Sequence, residues 1–383
     1  MSQSQATSEE EPSPLLVLSA YTTDLRHFTN LLRGVSFEKR ALFDLTAGGI
    51  VVTVEEARTL LAFAFIRNDI FDEYIYIPME EPEPEPQSSQ ETVDEDEEPT
   101  PPRPKRTLFE VNLSTVIDCL NLFGTAGTSA SAVKKHRFKG WNQSAQDSDG
   151  DDDGTEDGSA SRRGRTSKSA SGMNASASAN TKIDQFMSGS TKGTALRMTY
   201  AGPGHPLVLH LAESSSGPAA TCEIVTYDPE PALELPFDSD AMIMKMILKS
   251  SWLQDALSEL HPSCDKLTII GNPPPAPGRG PTLTAPPRLR IKATGTFGTT
   301  EMDYPNDKEV LESCECDTHV SFTYRTSHVV RVARALQHST KTSVRIDEGG
   351  LLSLQLIIPS PRMRGPKAAE AFTEFRCLAI DES

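Results

Sequence analysis

One succession of patterns recurs along this chain: an apolar strand, an amphipathic helix and a ladder of alternating strands, at 15–67, 107–226, 232–302 and 319–380. A repeated βαβββ unit constrains the fold strongly, because each copy must bury its apolar face against another copy. No catalytic signature accompanies the repeat. It therefore predicts a symmetric scaffold, whose function depends on what the repeated helices face.

Helical spacing predicts four helices. Over 22–33, Leu25, Phe28 and Leu32 share one face and Arg26, Asn30 and Arg33 another. Over 112–123, Leu113, Val116, Ile117, Leu120 and Phe123 form the stripe, opposite Asp118 and Asn121. Over 240–252, Ile243, Met246 and Ile247 are the expected core side, and Lys245 and Lys249 point outward. Over 326–338, Val329, Val332, Ala333 and Leu336 oppose Arg331, Arg334 and His338. Three of the four helices thus carry cations opposite their apolar stripe. Singly, such a face is a solvated one; in equivalent places of a repeat, the cations combine into a surface suited to phosphates. Gly48-Gly49 and Gly349-Gly350 each separate two strand patterns, as tight hairpins require.

The net charge of −17 argues against a polyanionic partner only until its distribution is examined. Ten acids and no Lys or Arg fall at 80–98, and seven more acids at 147–157; these two runs hold the whole excess. They lie in stretches rich in Pro, Glu, Ser, Gly and Asp, at 79–106 and 126–192, that bury too little apolar surface to order. A third such stretch spans 271–287. Strand patterns resume after the first two, so both read as disordered inserts within one domain. The expected organisation is a disordered tail 1–14, an N-terminal domain 15–226, a connector 227–235 and a C-terminal domain 236–383.

Six cysteines spread over a long chain suit a reducing compartment. The start MSQSQATSEEEP has no apolar core of a secretory signal, and the longest apolar run, at 60–66, is too short to span a membrane. Basic clusters at 101–106 and 161–168 are candidates for importin recognition.

Enzymatic motifs are sparse. Cys314-x-Cys316 with His319 matches no common zinc spacing, so structural cysteines are expected and no metal is assigned. His261 and Asp265 bracket a turn and receive no role. A two-metal nuclease needs converging carboxylates, whereas Asp44, Asp72, Glu73, Asp303, Asp347 and Glu348 fall at turns and strand ends in ones and twos. Gly202-x-Gly204 lacks the strand-to-helix context of a phosphate loop. No catalytic residue and no cofactor are expected; the alternative is a 3′–5′ exodeoxyribonuclease acting in DNA repair.

Several segments carry a resemblance: Val51-Val-Thr-Val-Glu-Glu-Ala-Arg58 leading to Ala62-Phe-Ala-Phe-Ile66, Asn112-Leu-x3-Ile-Asp-Cys-Leu-x-Leu-Phe-Gly124, and Thr194-Ala-Leu-Arg-Met-x-Tyr200. Phe297-Gly followed by Asp303-Tyr-Pro305, and Gly349-Gly-x-Leu-Ser-Leu-Gln355, agree in the second half. The chain resembles the Rad-one subunit of the eukaryotic checkpoint (nine-one-one) sliding clamp. The resemblance implies an α+β DNA-clamp fold like the proliferating cell nuclear antigen. In that fold, two similar domains are each built of duplicated βαβββ units, with the helices on the inner side of a continuous antiparallel sheet. It also implies a nuclear, non-catalytic subunit that forms a heterotrimeric ring with two other clamp subunits. A clamp loader would place the ring on double-stranded DNA at damage sites, where it would recruit checkpoint and repair proteins. The inner-surface candidates carried over are Arg26, Arg33, Lys245, Lys249, Arg331 and Arg334. The connector, Tyr227, Asp228, Pro229, Glu230 and Pro231 onward, is the expected place for partner peptides. Asp118 departs from the basic pattern.

Overall fold

Alternation of buried and more exposed positions along the strands builds most of this molecule. The computed structural model describes residues 16–79, 105–124, 193–213, 216–274, 286–360 and 370–380; the tail and nearly all of the three low-complexity stretches expected to be disordered lie outside them. The first half runs β1 (Leu18–Thr22), α1 (Arg26–Gly34), β2 (Arg40–Thr46), β3 (Gly49–Glu56), β4 (Leu60–Arg67) and β5 (Glu73–Tyr76). It continues with β6 (Thr107–Asn112), α2 (Leu113–Leu120), β7 (Ala195–Tyr200), β8 (Leu207–Ala212), β9 (Ala219–Ile224) and β10 (Thr226–Tyr227). The second half opens with β11 (Met242–Lys249), α3 (Ser250–Ser258), β12 (Cys264–Gly271), β13 (Leu289–Gly295), β14 (Gly298–Tyr304) and β15 (Leu311–Glu315). It closes with β16 (Val320–Arg325), α4 (Thr326–Val329), a 3₁₀ turn at Val330–Val332, α5 (Ala333–Leu336), β17 (Lys341–Asp347), β18 (Leu352–Pro359) and β19 (Glu370–Cys377). Strand, helicoidal segment and three strands follow one another four times, beginning at β1, β6, β11 and β16.

All strand pairings are antiparallel and form three sheets. A ten-stranded sheet, β10-β6-β2-β3-β4-β19-β18-β17-β11-β15, passes from one half to the other through the β4–β19 pair, where Phe65 opposes Phe372. A five-stranded sheet, β5-β1-β7-β8-β9, belongs to the first half, and a four-stranded sheet, β14-β13-β12-β16, to the second. Phe43, Leu45, Val52 and Val54 point to one side of the long sheet and join Leu25, Phe28, Leu31 and Leu32 of the α1 region in one core cluster. That cluster continues into Leu253, Ala256, Leu257, Val332, Ala335 and Leu336, so the helices cover a single face of the long sheet.

Turn chemistry follows the sequence. Gly49 (φ 139°) and Gly350 (φ 77°) take left-handed backbone in the β2–β3 and β17–β18 hairpins. At Gly350 a side chain is also excluded by space, since a Cβ would sit 2.5 Å from the Phe322 ring. The Asn112 side chain caps α2 by accepting from the Thr115 N–H at 3.2 Å. No described helix is long and apolar enough to cross a membrane.

One helix expectation is overturned. Most of 240–252 is strand β11, and the helix begins at Ser250. Met244, Met246 and Leu248 are buried in the core, while Lys245, Ile247 and Lys249 lie on the other face. The run Met-Ile-Met-Lys-Met-Ile-Leu-Lys satisfies both the helical and the strand period, and pairing with β17 and β15 decides for strand. The first helix starts at Arg26 rather than at residue 22, because Thr22 remains in β1. The helix expected over 326–338 is three short pieces in succession.

Candidate nucleic-acid interface and connector face

The helices line up as α2, α1, α5, α3, with α1 and α5 meeting where the two halves join. Cations concentrate on this middle pair. Arg26 binds the Asp24 carboxylate, with one N–O distance of 2.6 Å. Arg33 donates to Asn121 Oδ1, tying α1 to the residue that ends α2. Arg334 donates to the Ser36 carbonyl at 3.1 Å. Arg331 makes a two-pronged pair with Glu56 across the halves, Nε to Oε2 at 2.8 Å and Nη2 to Oε1 at 2.7 Å. The flanking helices are different: α2 exposes Asp118, and α3 and its end expose Asp255 and Glu259. Positive charge is therefore a central band with acidic margins.

A buried imidazole, His328, and a half-buried one, His338, lie in this band. Burial lowers the pKa of His328, and Arg325 and Arg331 add to the effect against the opposing pull of Glu56. Burial also lowers His338, with Arg33 contributing in the same direction. Both effects disfavour the charged form.

Lys245 and Lys249 are not part of the helix face. They project from β11 on the side of the long sheet opposite the helices, where Lys245 pairs with Glu315 at 3.4 Å and Lys249 stands opposite Lys341. The assignment of these two lysines to a helical cation row is corrected accordingly.

The segment after β10 crosses that same outer side. Tyr227 pairs with Glu110 of β6 and lies under the Arg40 guanidinium, 4.4 Å from the ring centre. Arg40 also reaches Glu110 at 3.2 Å and Glu230 at 3.7 Å. The Glu230 N–H donates to Glu110 Oε1 at 2.9 Å, and the Leu233 N–H to Glu55 Oε2 at 3.2 Å. Farther on, Arg376 Nη1 donates to the Leu235 carbonyl at 2.8 Å. Leu233, Leu235 and Phe237 pack on Leu61, Leu351 and Phe63 in a small apolar cluster separate from the main core. Beside this strap, a cleft of about 260 Å³ opens among Arg40, Thr53, Glu55, Arg58, Glu230 and Pro231. Asp228 and Pro229 border a second cleft, of about 380 Å³, with Leu108, Tyr200 and Gly204.

The residues weighed for other chemistry have separate partners. Asp44 lies near Arg106 at 3.7 Å, Asp72 accepts from the Thr23 N–H, Glu73 pairs with Arg197, Asp303 with Arg290, and Asp347 accepts from the Leu351 N–H. The Glu348 N–H donates to Ala241 O. Cys314 accepts from Arg288, Cys316 donates to Thr318 O, and His319 bonds Asn272. Among the described residues, no group of three or more His, Cys, Asp or Glu side chains gathers to hold a metal ion.

Sequence reasoning missed the side chains that hold the strap: Glu55, Glu110, Arg345, Glu374 and Arg376. Charges in the middle of otherwise apolar strands were the available signal, because such residues must face either solvent or a partner.

Residues 17–358 match the family described as repair protein Rad1/Rec1/Rad17. A cell cycle checkpoint protein RAD1 of Mus musculus is 27% identical over 97% of this chain and 96% of its own length. The DNA damage checkpoint control protein rad1 of Schizosaccharomyces pombe is 32% identical over 50% of this chain and 54% of its own. A Mycosarcoma maydis protein named DNA repair exonuclease REC1 is 24% identical over 97% and 98%.

Proposed function

Because the chain belongs to the Rad1/Rec1/Rad17 family of repair proteins, we propose that it is a non-catalytic subunit of the heterotrimeric checkpoint clamp, a ring that encircles DNA in the nucleus and recruits checkpoint and repair proteins. Two domains, 15–226 and 236–383, joined by the connector 227–235, form one third of the ring. The helices face the hole. Arg26, Arg33 and Arg334 in the central band meet the phosphate backbone, with Arg331 beside them. A ring holds by topology, so these contacts can be weak, salt-sensitive and indifferent to sequence.

The observation that carries the ring is the β4–β19 junction. The last strand of the first βαβββ unit pairs with the last strand of the fourth, within one chain. The last strands of the second and third units, β9 and β14, end their sheets and have one unpaired edge each among the described residues. An open edge invites a strand. A neighbour's β14 laid against β9 repeats the internal junction, and three repetitions close a ring without leaving either edge free.

The reading predicts that the native complex isolated from cells has the mass of one copy of this chain plus two different clamp-like chains. A homo-oligomer, or a chain that remains single, overturns it. The exonuclease named among the relatives is the second reading. It requires magnesium-dependent degradation that disappears when one carboxylate, such as Asp303, is replaced by alanine.

A further inference from the structure

Glu374 is a buried charge in the middle of β19, only 2% exposed. Burying a carboxylate is costly unless it is fully paired, and this one is. Its Oε1 accepts from Arg345 Nη2 at 3.0 Å, Ser353 Oγ at 2.7 Å and Arg376 Nε at 3.1 Å. Its Oε2 accepts from Arg376 Nη2 at 3.0 Å. Core packing does not require the charge, because the group lies on the outer side of the long sheet, away from the helices. What lies above it is the strap. Arg376 uses its remaining Nη1 to hold the Leu235 carbonyl, and its guanidinium lies 4.9 Å from the Phe63 ring centre. Arg345 lies 4.6 Å from the ring centre of Phe237.

We propose that Glu374 is a positioning residue for the connector: by accepting hydrogen bonds from Arg376 and Arg345, it holds residues 233–237 in their seat and so sets the shape of the outer face. The inference rests on the proposed use of that face by partner proteins, but concerns only how the face is shaped. A guanidinium without its counter-ion keeps its charge and loses its orientation, because a flexible side chain places a hydrogen bond accurately only when its other donors are satisfied. The two ends of the strap are held by opposite means. Near its start, carboxylates of Glu110 and Glu55 accept from backbone N–H groups; near its exit, a guanidinium donates to a backbone carbonyl. Glu230 keeps its bond to Glu110 without Glu374, whereas Leu233 has one N–H bond to Glu55 and shares its apolar seat with Leu235 and Phe237, so it lifts with them. Loosening the exit frees Leu233, Leu235 and Phe237 from Leu61 and Leu351 while Glu230 stays attached to the sheet.

Amide hydrogen exchange on the full-length chain tests this, comparing wild type with Glu374→Gln and with Arg376→Met. The second variant leaves Glu374 paired with Arg345 and Ser353, and so guards against loss of folding in the first. Exchange within 232–238 is expected to rise about tenfold in both, the scale of a local opening, with β4 and β19 amides as protected as in wild type. Exchange at 232–238 within about twofold of wild type in both variants overturns the proposal. So does a parallel rise across β4, β18 and β19, which would make Glu374 a general brace of the sheet. Peptide binding is not the readout, so a face that turns out to bind no partner would remove the functional reading while leaving the connector result intact.

Discussion

Gly34 and Ala335 meet where α1 and α5 cross: a Cβ placed on Gly34 would lie 3.2 Å from the Ala335 Cβ. Small residues on both sides let the helices of the two halves approach closely, and Leu31, Leu32, Val332 and Leu336 seal the contact with less than 2% exposure each. Enlarging either residue forces the helices apart. Gly34→Leu is expected to cost roughly 1–3 kcal/mol by overpacking, read as a lower urea midpoint with an unchanged slope. Gly34→Ala should be much milder, since the clash is limited to one methyl group.

Arg331 and Glu56 join the halves a second time, and the pair limits what substitutions of Arg331 can reveal. Arg331 is 39% exposed and Glu56 17%, so a coupling of roughly 0.2–1 kcal/mol is appropriate. Arg331→Glu sets two carboxylates together and should destabilise the fold before any effect on DNA is considered. The exchange Arg331→Glu with Glu56→Arg should recover most of that loss in a double-mutant cycle. A phosphate contact is measured more cleanly at Arg334, whose Arg334→Gln variant should reduce the salt slope of DNA binding by about 0.9. Unchanged slopes at Arg334, Arg26 and Arg33 would move DNA off this band.

Stability should fall in mild acid. His328 and His338 both have pKa values lowered from 6.5 by burial. The unfolded chain therefore binds the proton more readily than the folded one, and the stability contributed by neutral imidazole is complete above 6.5 and lost as pH falls through the folded value. Around His328, Glu56 opposes the shift and Arg325 and Arg331 support it; around His338, Arg33 supports it. Urea midpoints at about pH 7.5 and about pH 5.5 should differ more for wild type than for His328→Gln with His338→Gln. Equal differences would remove these imidazoles as the cause.

The βαβββ succession along the chain, the Gly-Gly hairpins and three of the four expected helical regions were legible because each rests on local periodicity or on a glycine. Residues 242–249 were not, because an apolar run broken only by Lys245 and Lys249 fits two periods and only the neighbours β17 and β15 choose between them. Arg26, Arg33, Arg331 and Arg334 could be placed on helices, but their partners could not. Arg331 finds Glu56 at a separation of 275 residues and Arg334 finds Ser36 at 298, distances no local pattern encodes. The strap is the same case: Arg376 meets Leu235 across 141 residues.

The open edge of β14 gives the ring its sharpest test. In an antiparallel strand, successive amides point to opposite edges. β14 pairs on one side with β13, Thr299 opposite Thr294 and Thr300 opposite Ala293. Of the Thr299 and Thr300 amides, one therefore bonds within the sheet and the other points to the vacant side. Proline lacks the amide and is tolerated where that amide faces outward. One of Thr299→Pro and Thr300→Pro is accordingly expected to keep a near wild-type melting temperature yet lose assembly with the neighbouring chains. The other should lower the melting temperature by breaking the β13–β14 ladder. Both outcomes are needed: a well-folded proline variant that still assembles at wild-type affinity would place the junction on some other edge, because strand addition at β14 cannot proceed at full strength without its outward donor.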